Sequence, residues 1–145
     1  MTRMLLFLFT FCFISDSTAS TSNDMKWSHR SVIYFAPSHD EYVERFLLET
    51  LMNECDLSQR DIVILVITQD GYTKPNWVKY EFDLSALFRL YQIQSNQHTA
   101  ILLGKDGQEK MRWGKQTDWP VLKQTVDNIP IRQQEMISGD DPCSI

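Results

Sequence analysis

The stretch Ser31–Cys55, SVIYFAPSHDEYVERFLLETLMNEC, decides how this chain is read. Val32, Ile33, Tyr34 and Phe35 form a continuous apolar run rich in β-branched and aromatic residues. That is the pattern of a strand buried on both faces in a parallel or mixed sheet. Ala36-Pro37 stops it. Ser38, followed three residues later by Glu41, matches a capping box, in which the hydroxyl and the carboxylate each satisfy an orphan N–H of a helix start. Behind it Val43, Phe46, Leu47, Thr50, Leu51 and Cys55 recur at three- and four-residue spacing. Glu44, Arg45, Glu49 and Glu54 take the opposite face. A buried strand therefore runs through a tight turn into an amphipathic helix. Such a turn lies at the carboxyl edge of a sheet, where α/β proteins tend to place their chemistry.

Working outward, Asp56–Asp61 reads as a polar turn, and Ile62–Ile67 is the strongest buried-strand signal in the chain. Gln69–Asn76 is dense in turn formers. Trp77–Asp83 fits either a short extended arm or an early helical turn. Asp83 then caps a helix carrying Leu84, Leu87, Phe88 and Tyr91. Thr99–Leu103 is a third strand, Gly104-Lys105-Asp106-Gly107 a hairpin turn and Glu109–Trp113 the returning strand. Thr117 caps a last helix with Leu122, Thr125, Val126 and Ile129 on its inner face, bounded by Pro130, and Ile131–Met136 continues briefly. The order βαβ then ββα predicts an α/β domain: a four-stranded mixed sheet with helices on both faces.

Residues 1–20 carry Arg3, the apolar run Met4–Ile14 and a small-residue end at Ser17–Ser20, the plan of a secretory signal peptide. The run is too short to span a bilayer, which takes about 20 residues. The expected organisation is signal peptide 1–20, linker 21–30 with Trp27 docking on the body, one domain over 31–136 and a disordered tail at 137–145. The mature chain is expected to be periplasmic or secreted, with no membrane attachment after cleavage. Losing Arg3 and Asp16 together leaves the net charge at −5. A mildly acidic chain without a long basic run is a poor nucleic-acid binder. Cys12 goes with the leader. Cys55 and Cys143 remain and could form one disulfide in an oxidising compartment.

Four pieces resemble one small family: Val32–Ser38, Arg60–Val63, Leu103–Gly107 and Ile129–Met136. Each is weak alone, but their order is similar to that of the domain of unknown function 4174, a thioredoxin-like family of exported bacterial proteins that is also a module of animal extracellular-matrix proteins. The resemblance implies a thioredoxin-like fold and an exported location, and it brings no established activity. Laid on the thioredoxin pattern, His39 stands where the nucleophilic cysteine would be, Tyr42 where the resolving cysteine would be, and Thr99 where the cis-proline would be. Dithiol exchange needs an accessible thiolate and a second thiol. Neither is present at those positions.

This leaves a short set of candidates. Ser38, His39 and Thr99 could serve an antioxidant or hydrolytic enzyme at the old active-site edge, His39 as general base or anion-facing ligand. The plainer reading of His39 is an exposed first-turn residue. Tyr42, Trp77, Tyr80 and Arg132 could contact a ligand or partner. Trp77 and Tyr80 could equally cover a sheet edge, and Arg132 could bond a helix end. Cys55 fits a buried structural cysteine better than a peroxidatic one, because the carboxyl end of a helix raises a thiol pKa; pairing with Cys143 would make it a redox sensor. His29 and His98 add no metal pattern, and no cofactor motif is present. The expected function is non-catalytic binding of a protein or small ligand of the envelope.

Overall fold

The computed structural model describes residues 27–139 and Cys143. The expected leader, most of the linker and most of the tail lie outside the described residues. Five strands, β1 (Arg30–Ala36), β2 (Ile62–Thr68), β3 (Thr73–Lys74), β4 (Thr99–Leu103) and β5 (Glu109–Trp113), form one mixed sheet in the order β3-β2-β1-β4-β5. β1 and β2 run parallel, while β3, β4 and β5 are each antiparallel to a neighbour. The fifth strand was not expected from the sequence. Two residues carry too little periodicity to show, and Thr73–Lys74 is extended only because it folds back on Val66 and Ile67.

Alternation along the strands makes two cores. Val32, Tyr34, Ala36, Val66, Ala100 and Leu102 face one side, where α1 (Glu41–Met52), α2 (Glu54–Gln59) and α5 (Trp119–Asp127) cover them with Val43, Phe46, Leu57, Trp119, Leu122 and Val126. Ile33, Phe35, Ile67, Ile101 and Leu103 face the other, under Val78 of α3 (Val78–Glu81) and Leu84, Leu87 and Phe88 of α4 (Leu84–Leu90). β1 is central and buried at every residue but Ser31, with Val32, Tyr34, Phe35 and Ala36 at 0% exposure. Trp77–Asp83 thus takes the helical alternative, as α3.

Several boundaries differ from expectation for local reasons. The helix predicted to reach Cys55 breaks at Asn53, whose side-chain amide donates to the Glu49 carbonyl (2.8 Å) and competes with the helical ladder. α2 then forms where a polar turn was expected, because Leu57 reaches the core. The cap of α5 is Asp118, which accepts from Val121 N–H, while Thr117 instead accepts from the Trp113 indole at 2.9 Å. Asp83 caps α4 as expected. α6 (Pro130–Ser138) runs two residues into the stretch expected to be a tail. Trp27 docks as anticipated: its backbone N–H donates to the Lys105 carbonyl and its ring lies against Gly107.

Candidate functional site

β1 and β2 end, and β4 begins, at one rim of the sheet. The loop after β1 carries Ser38, His39 and Asp40 there. Asp40, not Ser38, caps α1: one carboxylate oxygen accepts from Tyr42 and Val43 N–H, both at 3.1 Å. An aspartate placed directly before the first helical residue reaches two orphan N–H groups without a reciprocal Glu41. The other oxygen of Asp40 meets His98 Nε2 at 2.7 Å. Burial alone would raise the Asp40 pKa, but the Val43 N–H, the His98 ring and the Tyr42 N–H together bring it below the ordinary carboxylate value.

His98 is packed edge-on against Tyr42 (5.1 Å between rings) and Tyr34 (6.2 Å). Tyr34 stacks on Phe46 and donates its hydroxyl to the Lys115 carbonyl at 2.8 Å. Burial raises the Tyr34 pKa far out of the physiological range, and the charges of Asp40 and Glu49 push it the same way. Beside this pair lies a cavity of about 240 Å³ whose lining includes Tyr42, Arg45, Glu49, Lys115 and Gln116. Lys115 Nζ lies 4.9 Å from the centre of the Tyr42 ring, a cation–π contact. Glu49 accepts from the Trp119 indole at 2.8 Å.

The candidates named from the sequence do not converge. His39 stacks on Tyr72 (3.8 Å between rings) and pairs with Glu44, away from Asp40–His98. Thr99 opens β4 in register with Phe35, and the cis peptide among the described residues joins Lys74 to Pro75 instead. Ser38 lends its carbonyl to Asp40 N–H, not its hydroxyl to a cap. None of the three lines the 240 Å³ cavity. Tyr42 does. His98, which offered no metal pattern in the sequence, is the imidazole that meets the Asp40 carboxylate at this rim. Its position just before Thr99 was the available signal, since a residue flanking a rim-side strand end must itself sit at the rim.

Trp77, Tyr80 and Phe82 are 52%, 75% and 48% exposed on and around α3. α3 itself lies against β3, the edge strand on that side.

Arg132 belongs to the opposite pole of the sheet and is buried, where it takes the other role expected of it, bonding a helix end. Its guanidinium bonds the Gln59 carbonyl at the end of α2 (3.1 Å) and Asp127 (3.3 Å). Arg30, 1% exposed, bonds the Arg60 carbonyl at 2.9 Å and takes both oxygens of Glu135, at 3.1 and 3.3 Å. Lys105 joins Glu135 (2.7 Å) to Asp61 (2.9 Å), and Arg60 grips Asp127 at 2.8–3.0 Å. Glu135, raised by burial, is held below its ordinary value by the hydrogen bonds and charges of Lys105 and Arg30. This network ties α6, α5, α2, the β4–β5 hairpin and the start of β1 together.

Cys55 is joined to Cys143, 88 residues on, with Cα atoms 5.7 Å apart. It is exposed, and the buried, unpaired thiol expected of it is not what the fold holds. Among the described residues, no group of three or more His, Cys, Asp or Glu is placed to hold a metal ion, and no helix is long and apolar enough to cross a membrane.

A family described as Domain of unknown function (DUF4174) matches residues 22–135. No curated protein matches the chain.

Proposed function

We propose that this chain, which belongs to the family described as Domain of unknown function (DUF4174), is an exported, non-catalytic thioredoxin-like domain that works by binding a protein or small ligand. One observation carries the reading: both imidazoles at the rim are already engaged. His98 is taken up by the Asp40 carboxylate, and that carboxylate also caps α1. His39 is stacked on Tyr72 and paired with Glu44. The two positions that dithiol chemistry would fill hold His39 and Tyr42, and the cysteines are bonded to each other elsewhere.

The sheet order β2-β1-β4-β5, with a parallel β1–β2 pair and an antiparallel β4–β5 hairpin, supports the thioredoxin-like reading. The disulfide supports export, because such bonds persist in oxidising compartments. The pieces that carry the family resemblance include Arg60-Asp61, Lys105, Arg132 and Glu135, which together build the ion-pair pole and so work in stability.

For binding, the rim cavity is the best-equipped surface. Arg45 and Lys115 form no ion pair among the described residues, and they flank Tyr42 on an otherwise acidic chain. That arrangement suits an anionic group of a ligand. The test is an NMR titration of the oxidised protein with small carboxylates and inorganic phosphate. Shifts should be confined to residues around Tyr42–Glu49 and Lys115–Trp119 and disappear in Arg45→Ala/Lys115→Ala. Insulin reduction, peroxide consumption or ester hydrolysis at enzyme-like rates, lost in His39→Ala or His98→Ala, would overturn the reading in favour of an enzyme.

A second reading, redox sensing, draws on the disulfide alone: Cys55 is exposed and open to thiol attack. Equilibration with glutathione buffers distinguishes the two. A bridge that stays closed at a cytosolic poise is a staple, and one that opens in the range of the envelope is a sensor.

A further inference from the structure

We infer that the open edge of β2 docks a second copy of this chain, edge to edge, so that two sheets join into one. β3 covers only Val66 and Ile67 of β2. Among the described residues, Ile62–Leu65 have no strand beside them on that side. The ladder fixes which groups are left over. Arg30 N–H donates to the Asp61 carbonyl and Gln69 N–H to the Ala36 carbonyl, so odd-numbered positions along β2 bond β1. Thr68 N–H donates to the Tyr72 carbonyl, so even-numbered positions face outward. Ile62 and Ile64 therefore aim N–H and C=O at the open edge. A groove of about 460 Å³ runs beside them, walled by Leu51, Glu54, Leu57 and Ser58.

The edge is its own complement. An antiparallel two-fold centred on Val63 sets Ile62 opposite the second copy's Ile64 and the reverse, and such pairs exchange both backbone hydrogen bonds. That is an isologous contact, in which one patch meets itself. Asp61, at φ 52°, turns the chain out of the strand before it would run along the other copy's β3.

The side chains agree. α1 has two unlike flanks: Glu49 faces α5 through Trp119, while Leu51 faces the open edge. Leu48 and Met52 share the Leu51 side of the helix, at 59% and 77% exposure against 67% for Leu51, and Val63 on β2 is 38% exposed. Together these four present on the order of 400 Å² of apolar surface, Leu48, Leu51 and Met52 on the α1 face of the sheet and Val63 on the other, so that a two-fold at Val63 would cover both. Doubled, that is roughly half of a standard ~1,600 Å² interface before the strand pairing and the polar rim are added. Lys74 and Pro75 blunt the end of this edge beside Val66, so the free stretch is Ile62–Leu65, which itself carries neither residue type.

The test is sedimentation equilibrium of the purified, oxidised full chain, with amide hydrogen exchange read at the same concentrations. The expected result is a concentration-dependent dimer in which the Ile62 and Ile64 amides slow by about tenfold or more on association. Leu48→Glu/Leu51→Glu, at positions more than half exposed, should weaken the dimer by about 100-fold. Three results would each overturn the inference: a monomer at all concentrations up to about 0.2 mM, a dimer whose Ile62 and Ile64 amides exchange as in the monomer, or a dimer untouched by the double substitution. The exchange measurement needs no variant, so a misfolded mutant leaves it intact. A groove built for a basic extended peptide, the other chemistry Glu54 would suit, leaves the protein alone monomeric and so falls under the first of these.

Discussion

Glu135→Gln removes the charge on which three cations converge while keeping the shape of the side chain. In the native protein its carboxylate lies 2.7 Å from Lys105 Nζ, 3.1 and 3.3 Å from the Arg30 guanidinium and 3.7 Å from Arg132 Nη1. Arg30 is 1% exposed and Arg132 4%, so neither can turn to water when the charge is lost. Removing one partner of a buried pair costs about 3–5 kcal/mol. Here the carboxylate is 23% exposed, and each cation keeps a second acceptor: the Arg60 carbonyl, Asp61, or Asp127 with the Gln59 carbonyl. That lowers the expected cost to about 2–3 kcal/mol. For a domain of this size the midpoint should fall by about 10 °C. The sign of the pH dependence follows from the direction of the Glu135 shift. A folded-state pKa below the ordinary value near 4.5 means the stabilisation is fully present above that pH and is lost as pH falls through the depressed value. Denaturant unfolding followed by circular dichroism, stepped from pH 7 downward, should therefore show the gap between wild type and variant closing below about pH 4.5. An equal gap at both ends of that range, or one under about 0.5 kcal/mol at pH 7, would refute the account of this pole as a charge network.

Three further perturbations probe other parts. Asp40→Ala removes the cap of α1 and leaves His98 without its carboxylate, so it should cost about 2 kcal/mol, with Asp40→Asn costing about half, read by chemical denaturation. Because the Asp40 pKa is lowered, that stabilisation is present above about pH 3.9 and should fade as acid protonates the folded carboxylate. Cys143→Ser opens a loop of 88 residues, for which chain entropy alone predicts about 4–5 kcal/mol; the tail freed in the native state returns part of it, leaving about 2–3 kcal/mol in equilibrium unfolding without reductant. Gly107→Ala places a side chain at φ 78°, 3.3 Å from the Trp27 ring, and should cost about 1–2 kcal/mol with a change in tryptophan fluorescence as Trp27 is displaced.

Four of the five strands and the crossover helix were legible in the sequence because they rest on local pattern. Val32–Phe35 and Ile62–Ile67 are runs whose apolar faces leave few alternatives to a central sheet position, and Asp106-Gly107 marks its hairpin by turn chemistry. Even the errors of boundary were local contests: Ser38 against Asp40 for one cap, Asn53 against the helical ladder. What the sequence alone could not decide is which distant side chains meet. Asp40 and His98 are 58 residues apart, and Arg30 and Glu135 are 105 apart. No periodicity links such pairs. Partners are chosen when the sheet brings loop ends together at its two poles, where a charge must find an opposite charge or stay in water. So His98, which offered no metal pattern in the sequence, meets Asp40 at the rim, and Arg132 bonds the end of α2 at the opposite pole. The sequence determined the layers of this protein and that its helix-start turn holds no cysteine. Tertiary structure decided which of the remaining polar groups are spent on holding those layers and which, like the edge of β2, are left open.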